Sequence, residues 1–211
     1  MNHSFFARDV VTVARALIGT TMTIDGVGGT IVETEAYDAS DPASHSFSGP
    51  GQRNAAMFGP AGSAYIYRIY GLHHCLNVTC GGGAAVLIRA LAPTDGVEVM
   101  RMRRATTQAE ALLCAGPGRL CKALGVDLSL NNAPLDRAPF AWRDRTAEPS
   151  IAAGPRIGIT RAAEVPWRFV LAGSRSLSRP PSRTQKAPPS SAEGLGWGLS
   201  KCAKRPGLTY P

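Results

Sequence analysis

Ile31-Val32-Glu33-Thr34-Glu35-Ala36-Tyr37 sets two carboxylates and a tyrosine at alternate positions among β-branched and small residues. A strand has a side-chain period of two, so Glu33, Glu35 and Tyr37 share one face and Val32, Thr34 and Ala36 share the other. If the Val32 face is the core, the carboxylates are either solvated or held beside an aromatic ring to orient water. The strand pattern alone leaves both readings open. Upstream, Thr20 to Ile24, the turn Asp25-Gly26-Val27-Gly28-Gly29 and Thr30 to Tyr37 read as strand, Gly-rich turn and strand. Earlier still, Val10, Val13, Ala14 and Leu17 follow helical spacing over Asp9 to Leu17, and Gly19 is placed to end that helix.

Downstream, Asp38 to Gly62 is dense in Ser, Pro, Gly and Asn without a period, which marks a long loop of the functional or mobile kind. Ala64 to Tyr70 and Leu76 to Cys80 flank Gly71 as a β-hairpin with its tip at Tyr70-Gly71-Leu72. Ala84 to Leu91 is an apolar run interrupted only by Arg89, hence a buried strand. Pro93-Thr94-Asp95 is expected to open a helix through Val97, Met100 and Arg104, with Thr94 as its N-cap. Leu112 to Leu124 reads as helical apart from Gly116-Pro117-Gly118, and Ile151 to Ile159 and Trp167 to Ala172 read as closing strands. Hydrophobic periodicity ends after Ser178, and there is no internal repeat. The expected organisation is one α+β domain over residues 1–178, followed by a basic Pro/Ser/Gly-rich tail over 179–211 that is expected to be disordered.

The chain's 211 residues, 44% hydrophobic, support one core and argue against wholesale disorder. No run approaches the roughly 20 apolar residues of a membrane span. The start, Met1 to Phe6, lacks a basic segment followed by a long apolar stretch, so no secretory signal is expected. Cys75, Cys80, Cys114, Cys121 and Cys202 form an odd set without a CxxC pair, which favours reduced thiols in the cytoplasm over a zinc site. The net charge is +8, of which residues 172–211, with seven basic groups against Glu193, contribute +6. A solvated basic tail and a polyanionic partner both explain that excess, and charge alone does not choose between them.

Other residues invite chemistry. Tyr65-Ile66-Tyr67-Arg68-Ile69-Tyr70-Gly71 holds three of the chain's five tyrosines. Strand propensity explains two of them, but an aromatic at a hairpin tip projects outward, where bases can stack on it. Arg89 inside an apolar strand needs a carboxylate partner, with Glu33 and Glu35 as candidates for a structural or a functional pair. His45 in the long loop is either a surface residue or a catalyst. His73 and His74 are adjacent, face opposite sides of a strand and argue against a metal site. Gly116-Pro117-Gly118-Arg119 offers free amides at a helix start, a weak phosphate signal.

These blocks, taken in order, match a known pattern. Ile31 to Tyr37, His45, Arg53-Asn54 with Met57-Phe58, Tyr65-x-Tyr67-x-x-Tyr70-Gly71, Asn77 and Leu87-Ile88-Arg89-Ala90-Leu91 resemble the alkyladenine (3-methyladenine, methylpurine) DNA glycosylase family. Gly116-Pro117-Gly118-Arg119-Leu120-Cys121 and Gly154-Pro155-Arg156-Ile157-Gly158 look like its later blocks. The resemblance runs from about Ala7 to Ser178. Departures are Ser174-Arg175-Ser176, where relatives commonly carry Ser-Pro-aromatic, and Leu72 with His73-His74 near the hairpin tip.

The resemblance implies a single α/β (α+β) domain with a curved, mainly antiparallel sheet, flanking helices and a protruding β-hairpin. It implies a monofunctional glycosylase of base excision repair. Such an enzyme flips alkylated or deaminated purines (3-methyladenine, 7-methylguanine, hypoxanthine, ethenoadenine) out of double-stranded DNA and hydrolyses the N-glycosidic bond, leaving an abasic site. By resemblance, Glu35 activates the water and Arg89 helps hold it, with a backbone carbonyl near Ile157. Tyr37, His45 and Tyr67 wall the base pocket, Asn77 discriminates against the exocyclic amine of guanine, and Tyr70 intercalates. No lysine precedes Lys122, so nothing in these blocks suggests a Schiff-base lyase. The expected enzyme needs no cofactor or metal, is monomeric, has no membrane partner, and is cytoplasmic, or nucleoid-associated in a bacterium. Two rivals remain. A base-stacking module would not need Glu35 with Arg89, and a carbohydrate hydrolase would not place its acid–base pair two apart on one strand.

Overall fold

The computed structural model describes residues 1–180, so most of the expected tail lies outside the described residues. In chain order come α1 (His3–Phe6), α2 (Val10–Leu17), β1 (Thr21–Ile24), β2 (Val27–Tyr37), β3 (Ala64–Ile69), β4 (His73–Gly81), β5 (Ala84–Asp95), α3 (Val97–Arg104), α4 (Pro117–Leu124), β6 (Phe140–Arg143), β7 (Ile151–Gly154) and β8 (Arg168–Leu171). The strands form one sheet in the order β3-β4-β5-β2-β1-β6, with β8 also on β2 and β7 on β8. Every pairing is antiparallel. The expected curved sheet with flanking helices and a hairpin is what the chain builds.

Strand β2 is the axis of the sheet because it is shared. Its first half pairs with β1, its last half with β8, and β5 runs along its other edge. Helix α2 starts on the Asp9 cap, whose carboxylate accepts the Thr12 N–H, and buries Val10, Val13, Ala14 and Leu17. It is tied to β2 by the Thr34 hydroxyl, which donates to the Ala14 carbonyl at 2.9 Å. The face carrying Thr34 and Ala36 thus looks into the main core, where Leu17, Met22, Ile31, Ile88, Leu91 and Leu120 are fully buried. The opposite face, carrying Glu33 and Glu35, is fully buried as well. The solvated reading of the carboxylates is therefore excluded.

Several boundaries differ from expectation. The β1–β2 turn is Asp25-Gly26 alone, both at positive φ, and Gly28 and Gly29 are strand residues. A Cβ at Gly28 would lie 2.0 Å from the Met22 carbonyl oxygen, and one at Gly29 2.0 Å from that of Ala92. They are glycines because neighbouring backbone closes on them, not because the chain turns there. Strand β5 runs on to Asp95, so α3 opens after Gly96 rather than at Thr94, and Thr94 instead donates its hydroxyl to Asp95. Residues Leu113 to Gly116 are not helical, since Ala115 bridges to Ala90 of the sheet. The closing strands are shorter than expected, and β6 was not foreseen because Phe140-Ala141-Trp142-Arg143 is too short to show a period. Among the described residues no helix is long and apolar enough to cross a membrane.

The β2–β5 register carries the site. Ile31 faces Leu91, Glu33 faces Ala90 and Thr34 faces Ile88, so Val32 is an extra residue on β2 and Arg89 an extra residue on β5. Paired bulges of this kind re-aim side chains without losing the ladder. Here they bring the Arg89 side chain onto the face of the two glutamates.

Candidate active site

Glu35 stands on β2 with its carboxylate held by three donors. The Ile157 N–H reaches Oε1 at 2.7 Å, while Tyr37 Oη and Arg89 Nη1 reach Oε2 at 2.9 and 3.1 Å. Tyr37 arrives by the strand period; Arg89 comes from β5, and Ile157 from the loop after β7. Arg89 also donates from Nε to Glu33 at 3.1 Å. Glu33 is shared with Arg168 of β8 at 2.8 Å. Two carboxylates and two guanidiniums thus close a buried, electrically neutral cluster, which a lone buried charge would not survive. Burial and the neighbouring Glu35 push the Tyr37 phenol well above its ordinary value, so it stays protonated and donates.

A cavity of about 1240 Å³ opens beside this cluster, lined among others by Tyr37, His45, Tyr67, Asn77, Arg89 and Ile157. His45 packs edge-on to Tyr67, with ring centroids 4.6 Å apart, and Tyr65 lies 5.5 Å from Tyr67. The His45 ring is pinned by a 2.8 Å hydrogen bond between Nδ1 and the Tyr65 hydroxyl. Its loop is fixed by Asn54, whose amide donates to the His45 carbonyl at 2.8 Å and to that of Gly49 at 3.0 Å. Burial, and secondarily Arg53, hold the His45 imidazole below its usual 6.5. Asn77 spends one amide hydrogen on the Tyr65 carbonyl at 3.0 Å, which fixes its orientation at the cavity wall.

At the rim, Tyr70 is 86% exposed and Leu72 79% exposed. Tyr70 and Gly71 both have positive φ, 51° and 68°, in a turn closed by the Leu72 N–H on the Ile69 carbonyl. A left-handed conformation is ordinary for Gly71 but strained for tyrosine, and such strain concentrates at functional positions. Seven of the eight residues singled out in the sequence thus border one space or its rim, and the eighth, Glu35, is fully buried and hydrogen-bonded to three of them, Tyr37, Arg89 and Ile157.

Sequence reasoning missed the supports. Arg156 is buried, forms an ion pair with Asp41, donates to the Ala36 carbonyl at 2.9 Å, and lies 4.7 Å from the Tyr37 ring centroid and 5.4 Å from that of Trp167. It fixes Tyr37 and ties down the start of the long loop. An arginine in a Gly-Pro-Arg loop carried no local signal of burial. Arg168 and Ser178 were likewise unmarked. Among the described residues no three His, Cys, Asp or Glu groups come together as a metal site.

The model of the methylpurine-DNA glycosylase family matches residues 4–175. The chain belongs to that family. It is therefore a hydrolase of N-glycosyl bonds, of the kind that serves base excision repair of alkylation damage. Relatives named as candidate 3-methyladenine DNA glycosylases agree along most of their length. One from Rhodopseudomonas palustris (strain BisB18) is 56% identical over 183 residues, covering 85% of this chain and 91% of its own. One from Rhizobium etli is 57% identical over 177 residues, with 84% and 88% covered. One from Bradyrhizobium diazoefficiens is 53% identical over 183 residues, with 85% and 91% covered. The glycosylase family match removes both rivals, since a binding module or a carbohydrate hydrolase is not what these sequences encode.

Proposed function

We propose that this glycosylase turns a damaged purine out of duplex DNA into the aromatic cavity and hydrolyses its bond to deoxyribose with a water activated by Glu35. The observation that carries the reading is the Glu35 carboxylate itself. A carboxylate offers about four lone-pair positions. The three donors occupy two positions on Oε2 and one on Oε1, which leaves an Oε1 position for a water. Where the resemblance implied that Arg89 and a carbonyl near Ile157 hold the water, Arg89 and the Ile157 N–H are bonded to the carboxylate and orient it, and Glu35 takes the water's proton as the oxygen attacks the anomeric carbon.

Tyr37, Tyr67 and His45 supply the walls against which a flipped base stacks. A purine alkylated on a ring nitrogen is cationic, is attracted to electron-rich ring faces, and leaves as a neutral base without acid catalysis. Lesions of the 3-methyladenine, 7-methylguanine, hypoxanthine and ethenoadenine class are the expected substrates. Asn77, locked through its amide, is the group that meets an exocyclic substituent. Tyr70 fills the vacated stack. No amine nucleophile takes part, so the reaction ends at the abasic site. The protein works as a monomer and in the cytoplasm, and the free, buried thiols of Cys75, Cys80, Cys114 and Cys121 support the second of these.

The test is product analysis on duplexes that each carry one of these lesions. Free base with an alkali-labile but otherwise intact strand supports the proposal. Strand cleavage without alkali, with a covalent protein–DNA adduct formed on borohydride reduction of an imine, would overturn the monofunctional mechanism.

A further inference from the structure

Glu33 takes no part in those steps, yet its buried carboxylate is bonded four times. Oε1 accepts Arg89 Nε at 3.1 Å, Arg168 Nε at 2.8 Å and Ser178 Oγ at 2.7 Å, and Oε2 accepts the Ser178 N–H at 2.6 Å. Half of these bonds come from Ser178, which lies beyond β8 and beyond the residues matched by the family model. Ser178 Oγ also accepts from Arg89 Nη2 at 3.4 Å. Its segment is held in turn by Arg168, whose Nη2 donates to the Arg179 carbonyl at 2.5 Å.

A guanidinium meets a carboxylate most strongly by presenting two nitrogens to both oxygens at once. Arg89 does not do this. Its Nε goes to Glu33, its Nη2 to Ser178 and its Nη1 to Glu35. Along the Nε/Nη2 edge, the serine hydroxyl stands where the second oxygen of a bidentate carboxylate would stand. Glu33 meanwhile has its other oxygen on the Ser178 amide. Glu33 thus has four donors without drawing Arg89 over to itself as a bidentate pair.

We propose that Ser178 is a positioning residue for base release: its hydroxyl fills the second acceptor place on the Nε/Nη2 edge of Arg89, prevents Glu33 from taking that edge as a bidentate pair, and leaves Nη1 committed to Glu35. This inference rests on the assignment of Glu35 as the base. The charged and titratable groups around the pair are Tyr37 on β2, Cys75 on β4, Arg89 on β5 and Arg168 on β8. Among them, Ser178 adds a neutral, directional contact that sets which carboxylate Arg89 serves.

The experiment compares the full chain with Ser178→Ala, Ser178→Thr and Glu35→Gln in single-turnover base release at saturating enzyme. Rate constant, amplitude and lesion-duplex Kd are read separately. Ser178→Ala is expected to lower the rate constant by roughly tenfold, the scale of one hydrogen bond, with Kd little changed, and Ser178→Thr to restore most of it. A fall in amplitude or melting temperature with an unchanged rate constant would show a merely structural serine and overturn the proposal. Should alanine leave too little folded protein, Ser178→Cys keeps the volume while weakening the bond, and carries the same two outcomes. Undiminished release by Glu35→Gln overturns the assignment of the base. A wild-type rate constant in Ser178→Ala beside an inactive Glu35→Gln overturns the role of Ser178 alone.

Discussion

The Ile157 backbone N–H donates to Glu35 Oε1 at 2.7 Å, although 122 residues separate the two in the chain. A backbone donor cannot rotate away as a side chain can. The loop after β7 therefore fixes the carboxylate in a way no neighbour on β2 could, and the outcome of replacing Glu35 follows from that.

Glu35→Gln keeps the size of the side chain but removes its basicity. Base release under single turnover is expected to fall by about 10²–10⁴, while lesion-duplex binding persists. Glu33→Gln is the contrasting variant. Each variant breaks a buried pair with Arg89 and is expected to cost about 3–5 kcal/mol of folding stability, so it is the single-turnover rate constant of the folded protein that separates Glu33→Gln from Glu35→Gln. Near-normal turnover with Gln at position 35 would sink the mechanism.

Tyr70 is 86% exposed at the hairpin tip. Tyr70→Ala is expected to weaken lesion-duplex binding by roughly 1–3 kcal/mol without lowering the melting temperature. Tyr70→Asn places a residue tolerant of positive φ at the same position, and should be at least as stable as the wild type while binding as weakly as the alanine variant. Loss of stability in both would mark Tyr70 as a packing residue.

His45 gives a pH dependence whose sign is fixed by its lowered folded-state value. The unfolded chain binds a proton near pH 6.5 and the folded chain only at lower pH. The contribution of His45 to stability is therefore complete above pH 6.5 and shrinks as pH falls below it, until the folded imidazole protonates too. Arg53→Ala removes the secondary cause, so the imidazole midpoint in an NMR titration should rise without reaching 6.5, because burial remains. Tyr65, pushed up to about 12 by burial, keeps its hydroxyl proton across this range and stays bonded to His45 Nδ1, as the acceptor once the imidazole is protonated. A midpoint that does not move on replacing Arg53 refutes the electrostatic part.

The boundary of the dispensable tail moves slightly. Cutting before Arg179 removes the carbonyl that holds Arg168, so truncation should follow Pro180 instead. Loss of residues 181–211 is expected to leave the melting temperature unchanged. Removal of Arg183, Lys186, Lys201, Lys204 and Arg205 should weaken duplex binding most at low salt and flatten its salt dependence. Truncation after Ser174, which also removes Ser178, should lower both stability and the rate of base release.

Patterns of near neighbours were legible in the sequence because they depend on local periods. The face shared by Glu33, Glu35 and Tyr37, the helix ending at Leu17 and the Tyr70-Gly71 tip all follow from spacing along a few residues. The resemblance carried the family and the membership of the cavity. Burial of both strand faces, the paired bulges that swing Arg89 onto the glutamates, and the Ile157 amide on Glu35 were decided by tertiary structure. Each depends on which distant backbone lies alongside β2, and no local period encodes that. The supports Arg156, Arg168 and Ser178 were invisible for the same reason: a buried arginine or serine resembles a surface one until its partner arrives from another strand.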